Sequence, residues 1–328
     1  MQQHNIAYDY LRTLAIVLVA VLHAWSLLKM DEPQYGVMCY LYRAIVDAGV
    51  SLFVLISGAL VLSSPISSFS SFFQKRLKRV LIPFVIWATI IYIIGVYRHQ
   101  YDDIHSIGDA ILCWFPYLLN NQINVSHWFV HMIIALYLLT PVLQRVIQSA
   151  DGKALCEYML VLILVCLLLK WFFPSIFILT YCSGLLGYVG LYLAGYYIAQ
   201  YGIHRASAPW IYWIAALVLY VINVLTDCPN NVLTQLTAVA IFGTVLSLHC
   251  QHPSSSSQLV MAISRYSYCI YLVHIPIICG IYLLIHTESP QWWLPLVVGI
   301  GVVAFCTLGC WIVDRIPGKW KNYLGIAG

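Results

Sequence analysis

Asp9, Arg12 and His23 fall within a single apolar run, Tyr8 to Trp25, YDYLRTLAIVLVAVLHAW. Eleven residues carry the chain from Arg12 to His23. At 3.6 residues per turn that is close to three whole turns, so in a helix both side chains leave one face, roughly 16 Å apart along the axis. Asp9, three residues before Arg12, shares that face. A neutral imidazole can take a proton from a hydroxyl and later return it, which is what acyl transfer to an alcohol asks of a general base. Arg12 could hold an anionic donor or orient a neighbouring side chain. Two plainer readings stand beside these: His23 as a buried histidine hydrogen-bonded to another helix, and Arg12 as a side chain snorkelling to lipid headgroups with Asp9 as partner. Ionisable groups inside a spanning helix are costly unless they face a bundle interior or a wet cavity, and three on one stripe favour function.

Further along, Lys75, Arg76, Lys78 and Arg79 follow a Ser-rich and aromatic stretch, SSPISSFSSFFQKRLKRVLIPF. Guanidinium forks suit phosphates, so this cluster could bind a nucleotide or a coenzyme A phosphate; it could equally be a topology signal against anionic lipid. His131 lies one turn beyond His127 in a stretch that begins Ser126-His127-Trp128-Phe129. That spacing would suit two metal ligands, but no Cys or carboxylate stands near to complete a site, so the expectation is cavity lining and no metal. In the last stretch, Arg265 and Ser267 precede Tyr271 and His274, a polar stripe in an apolar helix that must face protein or water. His274 could again be purely structural. Gly49, Gly58, Gly184, Gly187, Gly190 and Gly195 are expected to allow close helix packing.

What must position these residues is a set of membrane-crossing helices. Of 328 residues, 62% are hydrophobic and 9% charged, with a mean hydropathy of +0.85, a composition that excludes a soluble domain of this size. Apolar runs predict ten spans, at about 8–28, 43–62, 80–97, 127–147, 155–173, 183–201, 209–226, 231–249, 262–286 and 292–313. The fold class is therefore an all-α integral membrane protein, a bundle of about ten transmembrane helices. It reads as a single polytopic domain over residues 1–328 with no separate soluble domain. The alternating pattern of an outer-membrane barrel is absent. Residues 13–28 could pass for a secretory signal, yet no small-residue cleavage site follows, so the first span is expected to be retained.

With the N-terminus cytoplasmic, that side receives Arg12, Lys75, Arg76, Lys78, Arg79, Arg145, Lys153, Arg205, Arg265, Arg315, Lys319 and Lys321, twelve of the sixteen basic residues. The other side receives Lys29, Arg43, Arg98 and Lys170. This bias predicts that both termini are cytoplasmic. In the long external segment 98–126, the run IGDAILCWFPYLL is too short to span and reads as an interfacial or re-entrant helix. The Ser-rich tract at 254–257 reads as a flexible loop. Eleven Cys, scattered through apolar runs without a C-x-x-C, indicate neither a zinc site nor a disulfide framework. The net charge of +4 carries no nucleic-acid signal; the expected partner is the lipid bilayer, and the oligomeric state is left open.

Taken in order, these stretches resemble the membrane-bound acyltransferase 3 family. Arg12, ten residues, then His23, with Asp9 before them, match its first-helix signature. Residues 49–58, GVSLFVLISG, look like its second-helix motif, and Arg76-Leu77-Lys78-Arg79 matches its R-x-x-R. His127-Trp128-Phe129 with Tyr137-Leu138-Leu139-Thr140-Pro141 resembles the fourth-helix pattern, and Ser267 through His274 resembles the late S-x-x-I-Y-L-x-H. The resemblance implies acyl-CoA, usually acetyl-CoA, as co-substrate, with His23 as catalytic base alongside Arg12 and Asp9. Arg12, Arg76 and Arg79 would lie near the donor, joined by Lys75, Lys78 and Arg265. The acceptor would be a hydroxyl of a cell-envelope glycan or lipid-linked sugar, met by His127, Trp128, His131, Tyr271 and His274. The chain is similar to the short form of the family, without the additional periplasmic esterase-like domain of many relatives. The expectation is thus a multi-pass O-acyltransferase of the cell inner membrane. Its rival is a transporter or flippase of a polar envelope precursor in which His23, His131 and His274 relay protons. A third reading is a sensory or scaffold domain that binds an acyl donor without turnover.

Overall fold

The computed structural model describes residues 5–28, 42–43, 45–66, 68–172, 177–202, 210–226, 232–251, 257–285 and 291–326. Lys29 and Arg205 of the charge count, and residues 254–256 of the Ser-rich tract, lie outside them. No β-strand occurs among the described residues. The helices are α1 (Ala7–Leu27), α2 (Ala48–Val61), α3 (Phe69–Tyr97), α4 (Ile107–Leu119), α5 (Trp128–Ile147), α6 (Gly152–Phe172), α7 (Phe177–Tyr201), α8 (Trp210–Thr226), α9 (Val232–Gln251), α10 (Gln258–Ile285) and α11 (Leu294–Asp314). Short 3-10 turns at Val125–His127 and Lys319–Leu324 complete the order. Each predicted span has a helix over it, and among the described residues seven helices are long and apolar enough to cross a membrane. Helix follows from the solvent: hydrocarbon offers no hydrogen-bond partners, so each backbone N–H and C=O must be paired within its own segment.

The polarity is that of a protein dissolved in lipid. Ile93 (61%), Leu217 (63%) and Phe305 (65%) are exposed, whereas Ser51, Thr140, Gln144, Ser264 and Ser267 are buried. The predicted interfacial run is α4, whose Ser106 hydroxyl accepts from the Asp109 amide at 3.1 Å while the Asp109 carboxylate accepts from the Ser106 amide at 2.8 Å, a reciprocal cap. The Ser106 hydroxyl and the amides of His105 and Ser106 hold the Asp109 carboxyl below the usual aspartate range. α4 is pinned to the end of α3 by Tyr92, which donates to the Ala110 carbonyl at 2.8 Å, and by the Trp114 indole, which donates to Thr89 at 3.1 Å. Its Ile107, Ile111, Leu112 and Phe115 point outward.

α1 is the central post, packed by α2, α9, α10 and α11. Alanines and glycines set that closeness: a Cβ on Gly49 of α2 would lie 2.9 Å from the Ala15 carbonyl oxygen, and one on Gly299 of α11 would lie 2.6 Å from Val21. The α2–α7 contact is tighter, since a Cβ on Gly58 would lie 1.8 Å from the Tyr192 oxygen and one on Gly195 would lie 2.0 Å from the Leu55 oxygen. Gly187 and Gly190 also meet side chains, on Gln235 and Ile163. Gly184 is the exception to the sequence expectation, for its Cβ would meet nothing within 4 Å among the described residues.

At one end of the bundle, Gln144 near the close of α5 donates to the carbonyls of Leu62 (3.1 Å) and Ser64 (2.6 Å) after α2. This end also carries the starts of α1, α3 and α10 and the 3-10 turn Lys319–Leu324. At the opposite end, Trp25 stacks on Tyr42 with ring centroids 4.7 Å apart and packs with Tyr282 and Leu294.

Candidate active site

The start of α1 is fastened to α10. Ser264 donates to the Asp9 carboxylate at 2.7 Å, and Thr13 donates to the Val260 carbonyl at 3.1 Å. Asp9 is buried, and its oxygen stands 3.8 Å from an Arg12 guanidinium nitrogen. Asp9 therefore orients Arg12 from behind, while Arg12 faces forward into a cavity of about 310 Å³.

That cavity collects Arg76 and Arg79 from α3, Ser57 from α2, Tyr137 from α5, and Arg265, Ser267, Tyr268 and Tyr271 from α10. The Tyr137 hydroxyl, hydrogen-bonded to Ser57, lies within electrostatic reach of Arg12, Arg76 and Arg79. Three guanidinium groups around one hydroxyl, walled by Phe53, Phe129 and Ile133, make a cationic and partly desolvated site suited to an anion. Lys75 and Lys78 do not join it. Both are exposed and line a neighbouring hollow of about 560 Å³ with Ser64, Ser68 and Ser71, and Arg76 is the wall shared by the two spaces.

The inner end of the cavity is Tyr271. Its ring packs on Phe129 at 5.3 Å between centroids, and its hydroxyl donates to the Ser126 carbonyl. One turn on, the fully buried His274 has its ring 5.8 Å from that of Tyr271 and 5.1 Å from that of His23. His274 Nδ1 lies 2.6 Å from the Tyr271 carbonyl oxygen. A carbonyl only accepts, so Nδ1 carries the hydrogen, and Nε2 of the neutral ring presents a lone pair that meets no partner among the described residues. His23 is half-buried. The α1 stripe thus joins an arginine-lined cavity at one end to a histidine pair at the other.

The remaining predicted residues lie on the far side of Tyr271. His127 is buried against the edge of Phe84, ring centroids 5.1 Å apart, and lies within electrostatic reach of His274. The His131 ring sits between two carbonyl oxygens, Nδ1 3.1 Å from that of His127 and Nε2 3.1 Å from that of Leu118. Trp128, partly exposed at the head of α5, leans on Tyr188 at 5.6 Å. None of these three lines the arginine cavity. Among the described residues no three His, Cys, Asp or Glu side chains gather as a metal site.

Sequence reasoning did not assign Tyr137, Ser57, Ser264 or Ser126 a place in the site. Tyr137 and Ser57 stand inside stretches that resembled the family, and no chemistry marked them out. Ser126 acts through its carbonyl, which no side-chain pattern reports. Tyr271 and His274, the natural candidates to polarise a reacting carbonyl, both direct their hydrogens to backbone oxygens.

No curated protein and no solved structure matches the chain. The sequence profile of the acyltransferase domain of the acyltransferase 3 family matches residues 5–315, from before the α1 stripe to the end of α11. That span takes in every residue placed in the cavity except Gly325, as well as both members of the histidine pair, and the chain belongs to the acyltransferase 3 family of multi-pass membrane acyltransferases.

Proposed function

We propose that this acyltransferase moves an acyl group, acetyl in the first instance, from acyl-CoA to a hydroxyl of a cell-envelope glycan or lipid-linked sugar, with His23 as general base. The chain would act as one polytopic unit in the cell inner membrane, both termini cytoplasmic. The observation that carries this reading is the order of groups along α1 and α10, from the guanidinium cluster of Arg12, Arg76 and Arg79, past Tyr271, to the neighbouring rings of His23 and His274. Phosphates of a cytoplasmic donor fit the first end. The roughly 16 Å rise from Arg12 to His23 suits the extended arm between those phosphates and a thioester.

The chemistry balances without a covalent enzyme intermediate. His23 takes the proton of the acceptor hydroxyl as its oxygen attacks the thioester carbonyl. The carbon–sulfur bond breaks, and the departing thiolate takes the proton back from the imidazolium. His274, with Nδ1–H fixed on the Tyr271 carbonyl, offers a neutral lone pair beside His23 and would hold that ring in place. A proton relay through His131 is poorly served, since its ring already lies between two carbonyl oxygens.

The test is turnover in membranes holding the chain, supplied with labelled acetyl-CoA and extracted envelope glycolipid. The reading expects free CoA thiol and alkali-labile label on the glycolipid in step. Neither product appearing would remove the enzyme reading for this donor, and transport of the glycolipid would be examined instead.

A further inference from the structure

After α11 the chain does not leave the bundle. The 3-10 turn Lys319–Leu324 folds back under α3, where the Trp87 indole donates to the Leu324 carbonyl at 3.2 Å. Gly325 then takes a left-handed conformation, φ 76°, which lets the Ile326 amide reach back to the Lys321 carbonyl at 3.2 Å. Gly325 and Ile326 are buried, and Gly325 forms part of the arginine cavity wall. A Cβ there would lie 3.1 Å from the Tyr268 ring and 3.4 Å from Pro83. Tyr268 is held from the other side by donating to the Val80 carbonyl at 2.6 Å.

One carboxylate ties this tail to the cavity. Asp314, the last residue of α11, forms ion pairs with Arg265 at 2.9 Å and with Lys321 at 2.9 Å and accepts a hydrogen bond from the Tyr266 hydroxyl at 3.1 Å. Lys321 also donates to the Asp314 carbonyl at 3.1 Å. Arg265 lines the cavity and is otherwise half exposed, so its position at the mouth depends on Asp314. The family match ends at residue 315, so the tail that completes this wall lies beyond it.

We infer that Asp314 and the segment Lys319–Ile326 are positioning elements of the donor site: Asp314 fixes Arg265 at the cavity mouth and latches down the tail that walls the cavity at Gly325. This rests on the reading that an anionic acyl donor occupies the arginine cavity. The consequence falls on donor binding and not on the chemical step. The acceptor-side groups His127 and His131 make none of these contacts.

The experiment is steady-state kinetics with acetyl-CoA and glycolipid acceptor on Asp314→Asn, Asp314→Glu, Lys321→Gln and Trp87→Phe, at matched amounts of monodisperse protein. Asp314→Asn is expected to raise the donor KM about tenfold, the scale of one lost charge-assisted interaction, with kcat and the acceptor KM within about twofold. Lys321→Gln should raise it less, Asp314→Glu should recover most of the loss, and Trp87→Phe, which removes the indole donor to Leu324, should move the donor KM the same way. Adding Lys321→Gln to Asp314→Asn should cost little more, because both act through one carboxylate. An equal fall in kcat for every variant, or a donor KM unmoved by Asp314→Asn and Trp87→Phe while Arg76→Gln raises it, would overturn the inference and leave the donor reading intact. A wild type that never releases CoA overturns the donor reading and the inference with it.

Discussion

The imidazole rings of His23 and His274 face each other between α1 and α10, centroids 5.1 Å apart and planes tilted by 49°. The two helices that bring them together are locked near their starts by the Ser264–Asp9 and Thr13–Val260 hydrogen bonds. A residue that orients the base acts on kcat. His274→Gln, which keeps an acceptor and removes the ring, is therefore expected to lower kcat by about tenfold to a hundredfold with an unchanged donor KM. A raised donor KM at an unchanged kcat would assign His274 to donor binding instead.

The basic cluster divides by cavity. Arg76 and Arg79 line the space around Tyr137, whereas Lys75 and Lys78 are exposed beside the neighbouring hollow. Arg76→Gln or Arg79→Gln should raise the donor KM about tenfold at nearly constant kcat, the pattern of lost uniform binding. Lys75→Gln and Lys78→Gln should change it by no more than about threefold, since neither side chain lines that cavity and their charges are screened by solvent. A titration of donor concentration over the four variants settles the contrast.

Helix packing offers a stability test independent of function. Gly58→Ala and Gly195→Ala each drive a methyl group into the backbone of the facing helix, so losses of about 3 kcal/mol or more are expected. Gly184→Ala and Gly301→Ala meet open space and should be neutral or slightly stabilising. Thermal unfolding in detergent compares the four; similar midpoints throughout would mean that α2 and α7 are not in close contact.

The cap of α4 supplies a pH dependence. Asp109 in the folded chain holds its proton less tightly than in an unfolded one, so its contribution is fully present above the unfolded value of about 3.9. It is lost as pH falls below that value through the lower folded one. Amide exchange at residues 107–110 should accelerate in that acid window, and Asp109→Asn should show the faster exchange already at neutral pH. Exchange that is indifferent to both would remove the cap from the account.

Some of this architecture was legible in the sequence for physical reasons. Charges inside an apolar run stand out, and the 3.6-residue period places Asp9, Arg12 and His23 on one face without reference to the rest of the chain. The short run 107–119 declared itself by its length. What helix periodicity cannot report is which helix a face meets. Ser264 and Asp9 are 255 positions apart, and His274 and His23 are 251 apart. In lipid the partner-facing and lipid-facing sides of a helix are both apolar, so the usual amphipathic guide is weak. Gly184 shows the limit: it shares its helix with Gly187, Gly190 and Gly195 yet meets none of the described residues. The tail wall at Gly325 was equally hidden, because a left-handed glycine after a basic turn looks like any chain end until Tyr268 and Pro83 are seen against it.

The central claim is that His23 removes the acceptor proton, and the most direct measurement compares wild type with His23→Ala in the same membranes, at equal protein level, by single-turnover transfer of labelled acetyl from acetyl-CoA to glycolipid. With donor binding verified by an unchanged half-saturation, loss of the base should slow transfer by about a hundredfold to ten-thousandfold. Transfer by the alanine variant at the wild-type rate would contradict the assignment of His23, whatever the fate of the donor site.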